Sequence, residues 1–242
     1  MPTVRVGDIN MYYEIHGKGE PLLLIIGYGG NSGEWFRQIP SLSQNYRVVA
    51  FDNRGAGRSD KPDVPYTMQM LAQDIAGLLE ALTIDATHIY GVSMGGMIAQ
   101  EFTLRHPEKV KSLILGCTLC GGSNAIAPDA EATNFLFDVE RAKRLTAEEI
   151  TRELLQFMYT QGFIDNNPDI IEQFIANRVE YFPPLYGFLR QAEAIILHDT
   201  YERLPQIKAP TLVIAGTADR LIPVENSRIL ASRIPNAELV IM

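Results

Sequence analysis

The chain has 242 residues and is poor in the residues that staple or ligate. It has only two cysteines, Cys117 and Cys120, so no disulfide framework can form. Their C-x-x-C spacing would suit a thioredoxin-like pair or half a zinc site, but two further ligands for a zinc ion are not at hand. Small buried residues at a strand end are the simpler reading. Positive charge is also scarce. Lys and Arg number 21 against 29 Asp and Glu, a formal net charge of −8, which argues against nucleic acid or an anionic membrane surface as partner. The start, Met1-Pro2-Thr3-Val4-Arg5, lacks the apolar stretch of a signal peptide, and the run Leu22 to Ile26 is far too short to span a bilayer. A cytoplasmic protein is expected. No nucleotide-binding glycine motif is complete. Gly27-x-Gly29 meets Ser32 where a third glycine belongs, Gly55-x-Gly57 meets Asp60, and there is no G-x-x-x-x-G-K-[ST]. Neither a cofactor nor a metal is called for.

What is present suits one large domain. Apolar residues make up 46% of a chain long enough to bury a sizeable core. Thr3 to Val6 and Met11 to His16 read as paired strands around a turn at Gly7-Asp8. Leu22 to Ile26 is continuously apolar, as a strand buried on both faces must be. Trp35 and Phe36 follow in a short helix, and Arg47 to Phe51 is the next strand. Leu71, Ile75, Leu78 and Leu82 mark one face of a helix by their spacing. Ser112 to Leu115 reads as another buried strand. This alternation is that of a doubly wound sheet. It breaks at Gly121-Gly122, and from there to Leu204 the pattern is helical. Thr146-Ala147-Glu148-Glu149 is a capping box opening a helix through Tyr159, and Pro168 and Pro184 sit where a first helical residue would. The sheet resumes at Thr211 to Ala215. A helix over Pro223 to Ile234 and a strand over Ala237 to Met242 complete the pattern.

The chemistry centres on Gly91-Val92-Ser93-Met94-Gly95, a G-x-S-x-G followed by Gly96. Ala86 to Tyr90 before it reads as a strand, and Met97 to His106 after it as a helix ended by Pro107. A strand, a sharp turn and a helix make this pentapeptide a nucleophile elbow. The turn lifts the Ser93 hydroxyl out of a strained backbone, and the chain passes its neighbours at Gly91 and Gly95 too closely for a Cβ. The helix N-terminus then leaves the Met94 N–H to meet a negative oxygen.

Four stretches in order make the chain resemble the α/β-hydrolase superfamily over nearly its whole length. Gly27-Tyr28-Gly29-Gly30 is similar to the oxyanion loop, and Asp52-Asn53-Arg54-Gly55-Ala56-Gly57-Arg58-Ser59 to the D-x-R-G-x-G-x-S loop. Gly91 to Gly96 is similar to the elbow, and Gly216-Thr217-Ala218-Asp219-Arg220-Leu221-Ile222-Pro223 to the acid loop. The likeness within the superfamily is to small carboxylesterases and 3-oxoadipate enol-lactonases. Serine at the elbow, rather than aspartate, speaks against haloalkane dehalogenases and epoxide hydrolases, and an elbow without Trp against proline iminopeptidases. The resemblance implies an α/β-hydrolase fold: a mostly parallel eight-stranded sheet with helices on both faces and a helical cap before the seventh strand. The core would be residues 1–120 and 205–242, and the cap 121–204. It implies Ser93 as nucleophile, Asp219 as acid, and the N–H groups of Tyr28 and Met94 as oxyanion donors. The loop begins Ile26-Gly27 where related loops often begin His-Gly, so its support differs. Asp52 is a rival acid, better read with Arg54 as a structural loop pair. Trp35, Phe182, Leu185 and Phe188 are candidates for an apolar substrate pocket under the cap.

The expected activity is cofactor-independent hydrolysis of a small carboxylic ester or lactone through an acyl-enzyme on Ser93. Thioester, carbon–carbon or peracid chemistry at the same site is a rival, and a non-catalytic binding protein of the same fold is another. The base is the difficulty. His16 falls in an early turn, His88 opens the elbow strand, His106 ends the following helix, and His198 reads as a surface residue before the seventh strand. The superfamily places its histidine after the last strand, so it is expected shortly beyond Met242, with the C-terminal part of the core missing from the chain. The apolar sheet face this would leave favours association into a homo-oligomer.

Overall fold

A computed structural model describes residues 2–242. Its strands are β1 (Thr3–Val6), β2 (Ile9–His16), β3 (Glu20–Ile25), β4 (Tyr46–Phe51), β5 (Thr87–Val92), β6 (Val110–Gly116), β7 (Thr211–Ala215) and β8 (Ala237–Ile241). They form one eight-stranded sheet in the order β1-β2-β4-β3-β5-β6-β7-β8. Only β1–β2 and β2–β4 pair antiparallel; every pair from β4 to β8 is parallel. The chain enters the parallel part at β3, next to its end strand β4, steps out to β4, and returns across β3 to β5. The loops after β3 and β5 therefore diverge from a switch point, where a crevice opens at the carboxyl ends of the strands.

Period-two alternation splits the strand side chains into two cores. Leu23, Ile25, Val49, Phe51, Ile89, Leu113, Leu115 and Val213 point to one face. There they meet α2 (Met68–Ala81), α3 (Met94–Arg105) and α10 (Val224–Arg233). The α2 stripe of Leu71, Ile75 and Leu78 is buried as its spacing requires. Leu22, Leu24, Ile26, Val48 and Ala50 point to the other face, packed with Trp35 and, at the margin, Tyr90 and the short α1 (Ile39–Leu42).

Between β6 and β7 lie α4 (Ala130–Phe137), α5 (Val139–Ala142), α6 (Ala147–Met158), α7 (Gln161–Asn166), α8 (Pro168–Glu180) and α9 (Leu185–Ile196). The Thr146 capping box is formed in full, and Pro168 is the first residue of α8. Pro184 instead stands one residue outside α9, as its N-cap, where its fixed φ suits the extended backbone that leads into the helix. An isolated bridge between Gly121 and Asp199 ties the two ends of this insertion together. No helix among the described residues is long and apolar enough to cross a membrane.

Candidate active site

The loops after β3, β5, β6 and β7, four neighbouring parallel strands, meet at the carboxyl end of the sheet. They carry Tyr28, Ser93, Cys117 and Asp219 respectively. Strand β5 runs two residues further than its apolar pattern shows, to Val92, and α3 begins at Met94 rather than Met97. Ser93 alone makes the turn, at φ 53° and ψ −124°, outside the ordinary regions for a non-glycine residue. The glycines permit this by close approach. A Cβ on Gly91 would stand 2.4 Å from the Gly95 carbonyl oxygen, and one on Gly95 2.1 Å from that of Ile25. The Ser93 N–H is spent on the Gly116 carbonyl, and its own carbonyl accepts from the Thr118 hydroxyl at 2.7 Å. Backbone on both sides of the hydroxyl is thus fixed.

Gly27 leans on the serine, since its added Cβ would stand 3.0 Å from Ser93 Cβ. The Gly30 N–H closes a turn onto the Gly27 carbonyl at 3.2 Å, with Gly29 at φ +64°. Among the described residues neither the Tyr28 nor the Met94 N–H is taken by a backbone acceptor.

Asp219 is fastened by its own loop. Its Oδ1 accepts the Leu221 and Ile222 N–H groups, both at 2.9 Å. Burial raises its carboxyl above the usual range, opposed by those backbone donors and by the thiol of Cys117. Burial, and then the charge of Asp219, push that thiol up to about 12, so Cys117 stays protonated beside the carboxyl. The next residue anchors the loop to the inserted helices, because the Arg220 guanidinium donates to Asp129 at 2.8 Å and to Glu131 at 2.7 Å.

The other candidates divide. The Phe188 ring stands edge-on to Tyr28 at 5.2 Å and packs on Phe182 at 5.0 Å. Leu185 opens the same helix and is half-buried. Trp35 lies 2% exposed in the second core against Tyr90. Asp52 does not pair with Arg54. It is fully buried and holds the Arg58 Nε at 2.9 Å and the Ser32 N–H at 2.6 Å, while Arg54 runs to Asp8 and Asp74. A loop arginine chooses its carboxylate by tertiary approach, and α2 brings Asp74 to it.

His198 is buried, contrary to its reading from sequence. It is 4% exposed rather than a surface residue, because the Gly121–Asp199 bridge folds its backbone beneath the chain leaving β6. Burial holds its imidazole down at about 4, hence neutral. Its charged neighbours are Glu101, Arg203 and Asp199, not Asp219. His16 pairs with Glu14, His88 with Glu20 and Ser112, and His106 lies near Glu108. A histidine beyond Met242 lies outside the described residues. Among those described, no group of three or more His, Cys, Asp or Glu side chains is placed to hold a metal ion.

Two residues went unread in the sequence, Arg178 and Gln191. Each is a polar side chain on the buried face of a helix, Arg178 in step with Ile171, Phe174 and Ile175, Gln191 in step with Gly187 and Ala194. A polar residue on an apolar stripe is the signal that could have found them.

Comparison with known proteins agrees with this geometry. A family model described as alpha/beta hydrolase fold matches residues 20–242. The chain belongs to that family. It is 35% identical to a protein of Azorhizobium caulinodans provisionally named carbamate hydrolase RutD, over 99% of this chain and 88% of that protein. A protein of Stutzerimonas stutzeri with the same provisional name is 30% identical over 96% of this chain and 88% of its own length. Among solved structures, the enol-lactonase from Burkholderia xenovorans superposes with a TM-score of 0.86 at 26% identity, covering 100% of this chain and 91% of that one. A thermophilic esterase from Thermogutta terrifontis gives 0.86 at 27%, covering 100% and 90%. These likenesses support a hydrolase of α/β-hydrolase fold.

Proposed function

We propose that the protein is a serine hydrolase that cleaves a small carboxylic ester or lactone through an acyl-enzyme on Ser93. The observation that carries this reading is Ser93 itself. It is one non-glycine residue held at φ 53° between a strand end and a helix N-terminus. Such strain persists where the surroundings over-determine it, and a nucleophile lifted out of the turn is a reason to keep it. The hydroxyl oxygen attacks the acyl carbon. The bond to the leaving alcohol breaks after the tetrahedral intermediate, whose oxyanion meets the Tyr28 and Met94 N–H groups. Water then releases the acid. Asp219 is the carboxylate that would orient and balance the imidazole of the base accepting the Ser93 proton. None of His16, His88, His106 and His198 has Asp219 as a neighbour.

Carbamates are a second reading, favoured by the relatives provisionally named carbamate hydrolase. A carbamate presents the same acyl carbon and developing oxyanion, so Ser93, Tyr28 and Met94 keep their roles.

The test is modification of Ser93 by a fluorophosphonate together with turnover of matched ester, lactone and carbamate series. Labelling is expected at Ser93. Ser93→Ala should abolish both labelling and turnover. Absence of labelling under every condition, or parental turnover by the alanine variant, overturns the reading in favour of a binding protein.

A further inference from the structure

We infer that Arg178 and Gln191 are positioning residues for the oxyanion loop: from two different cap helices they grip opposite edges of the Tyr28–Gly29 peptide and fix the turn on whose first corner Tyr28 stands. This rests on the serine hydrolase reading above.

The turn from Gly27 to Gly30 is closed by one bond, Gly30 N–H to the Gly27 carbonyl, and has positive φ at Gly29 but not at Tyr28. That is the type II arrangement. Types I and II differ by a rotation of roughly half a turn of the central peptide, here Tyr28–Gly29. The turn's own hydrogen bond does not involve that peptide, so something else must hold it. Arg178 Nη2 donates to the Tyr28 carbonyl at 3.0 Å. On the other edge the Gly29 N–H donates to Gln191 Oε1 at 2.9 Å.

Each gripping side chain is itself held. Arg178 Nη1 lies 2.9 and 3.1 Å from the two carboxylate oxygens of Glu34, and Gln191 Nε2 donates to the Arg54 carbonyl at 2.8 Å. Both side chains are buried, Gln191 fully. The clamp is polar in the strict sense, with a donor on one edge and an acceptor on the other. A flipped peptide would aim the Tyr28 carbonyl at Gln191 Oε1 and the Gly29 N–H at a guanidinium. Turning the Gln191 amide over would not rescue it, because Oε1 would then face the Arg54 carbonyl. Each such mismatch leaves buried groups unpaired, which is what makes the clamp discriminate. Neighbouring backbone is gripped as well. Asn177 Nδ2 donates to the Gly33 carbonyl at 2.8 Å, and the Asn177 carbonyl accepts from Asn31 Nδ2 at 2.9 Å. This is the support that a loop beginning Ile26-Gly27 has here.

The experiment compares the full chain with Gln191→Leu, with the pair Arg178→Met and Glu34→Gln, which leaves no unpaired buried charge, and with Gln191→Glu. Ester turnover, thermal melting and hydrogen exchange at the Gly29 amide are measured on each. Gln191→Leu and the double variant should lose about tenfold or more in kcat, the scale of effect a small misplacement has, with melting still cooperative. Their KM should stay within about twofold, since the lost interaction serves the transition state. Gln191→Glu mimics the amide only when protonated, so its kcat should fall as pH rises through the introduced carboxyl's pKa, a limb the parent lacks. A merely structural role would not produce that limb. Parental kcat in both Gln191→Leu and the double variant overturns the clamp. If the parent shows no Ser93-dependent turnover at all, it is the serine hydrolase reading that has failed. Exchange at Gly29 then decides the clamp alone: acceleration of about tenfold or more in Gln191→Leu under native conditions supports it, and an unchanged rate overturns it.

Discussion

A methyl group on Gly27 would stand 3.0 Å from the Cβ of Ser93, so the loop after β3 and the turn after β5 touch with no room to spare. The expectation for Gly27→Ala is a loop displaced by a few tenths of an ångström and turnover lowered more than stability. Gly95→Ala is harsher, since its Cβ meets the Ile25 carbonyl oxygen at 2.1 Å, a backbone group that cannot swing aside. It should cost about 1–3 kcal/mol or more, as overpacking does. Urea melts of the two variants beside their kcat values check both statements. Equal stability loss in the two would refute the ordering.

Ser93 holds a positive φ that only glycine adopts freely. Replacing it with alanine removes the hydroxyl and keeps the strain, whereas glycine removes both. Ser93→Gly should therefore be more stable than Ser93→Ala by about 1 kcal/mol, the scale of one strained backbone position. Equilibrium denaturation at constant m-value reads the difference. A glycine variant no more stable than the alanine variant means that the turn is not strained.

Asp219 carries a carboxyl raised by burial. In the folded state its charged form is disfavoured, so between the unfolded and folded values the folded chain binds the extra proton. Its unfavourable contribution therefore grows as pH rises through that window and is complete above it. Asp219→Asn should accordingly gain stability over the parent at neutral pH, and the gain should vanish in acid below the unfolded carboxylate value. Paired melts across pH 3 to 7 (roughly the span of carboxylate titration) test the sign. A gain that is constant with pH would refute it.

His198 gives a pH dependence of the opposite sense. Burial lowers its imidazole from 6.5 to about 4, so between those values the unfolded chain binds the proton and the folded chain does not. Stability should fall as pH drops through this window, by on the order of 3 kcal/mol for the whole interval. Substituting His198→Gln should flatten that part of the profile. An unchanged slope would place the titration in other groups.

Arg178 and Glu34 form a buried ion pair, with side chains 7% and 5% exposed. Arg178→Met alone strands the Glu34 carboxylate and should cost about 3–5 kcal/mol, whereas adding Glu34→Gln should restore much of it. The two single variants and the double form a cycle by chemical denaturation. Additive losses would mean that the pair is not coupled.

Local pattern alone determined a good deal of this protein. The β-α alternation, the buried run Leu22 to Ile26, the α2 stripe and the Thr146 box are written in residues close together in the chain, where period and capping act without distant partners. The Gly91 to Gly95 elbow is legible for the same reason, since Gly91 closes on Gly95 within the turn itself, although Gly95 also meets Ile25 of β3. Its strand and helix boundaries moved by two or three residues because Gly91 and Val92 look like turn residues until β6 pairs with them, and Met94 to Gly96 look so until α3 winds directly from Ser93. What only the tertiary structure decided is which charges meet. Arg54 finds Asp74 rather than Asp52, and Arg178 crosses from the insertion to Glu34 and Tyr28. His198 is buried by a bridge to Gly121 that no local pattern announces. A hydrophobic period records which face is buried, but a buried polar group takes its partner from whatever segment the fold brings within about 3 Å, the reach of a hydrogen bond.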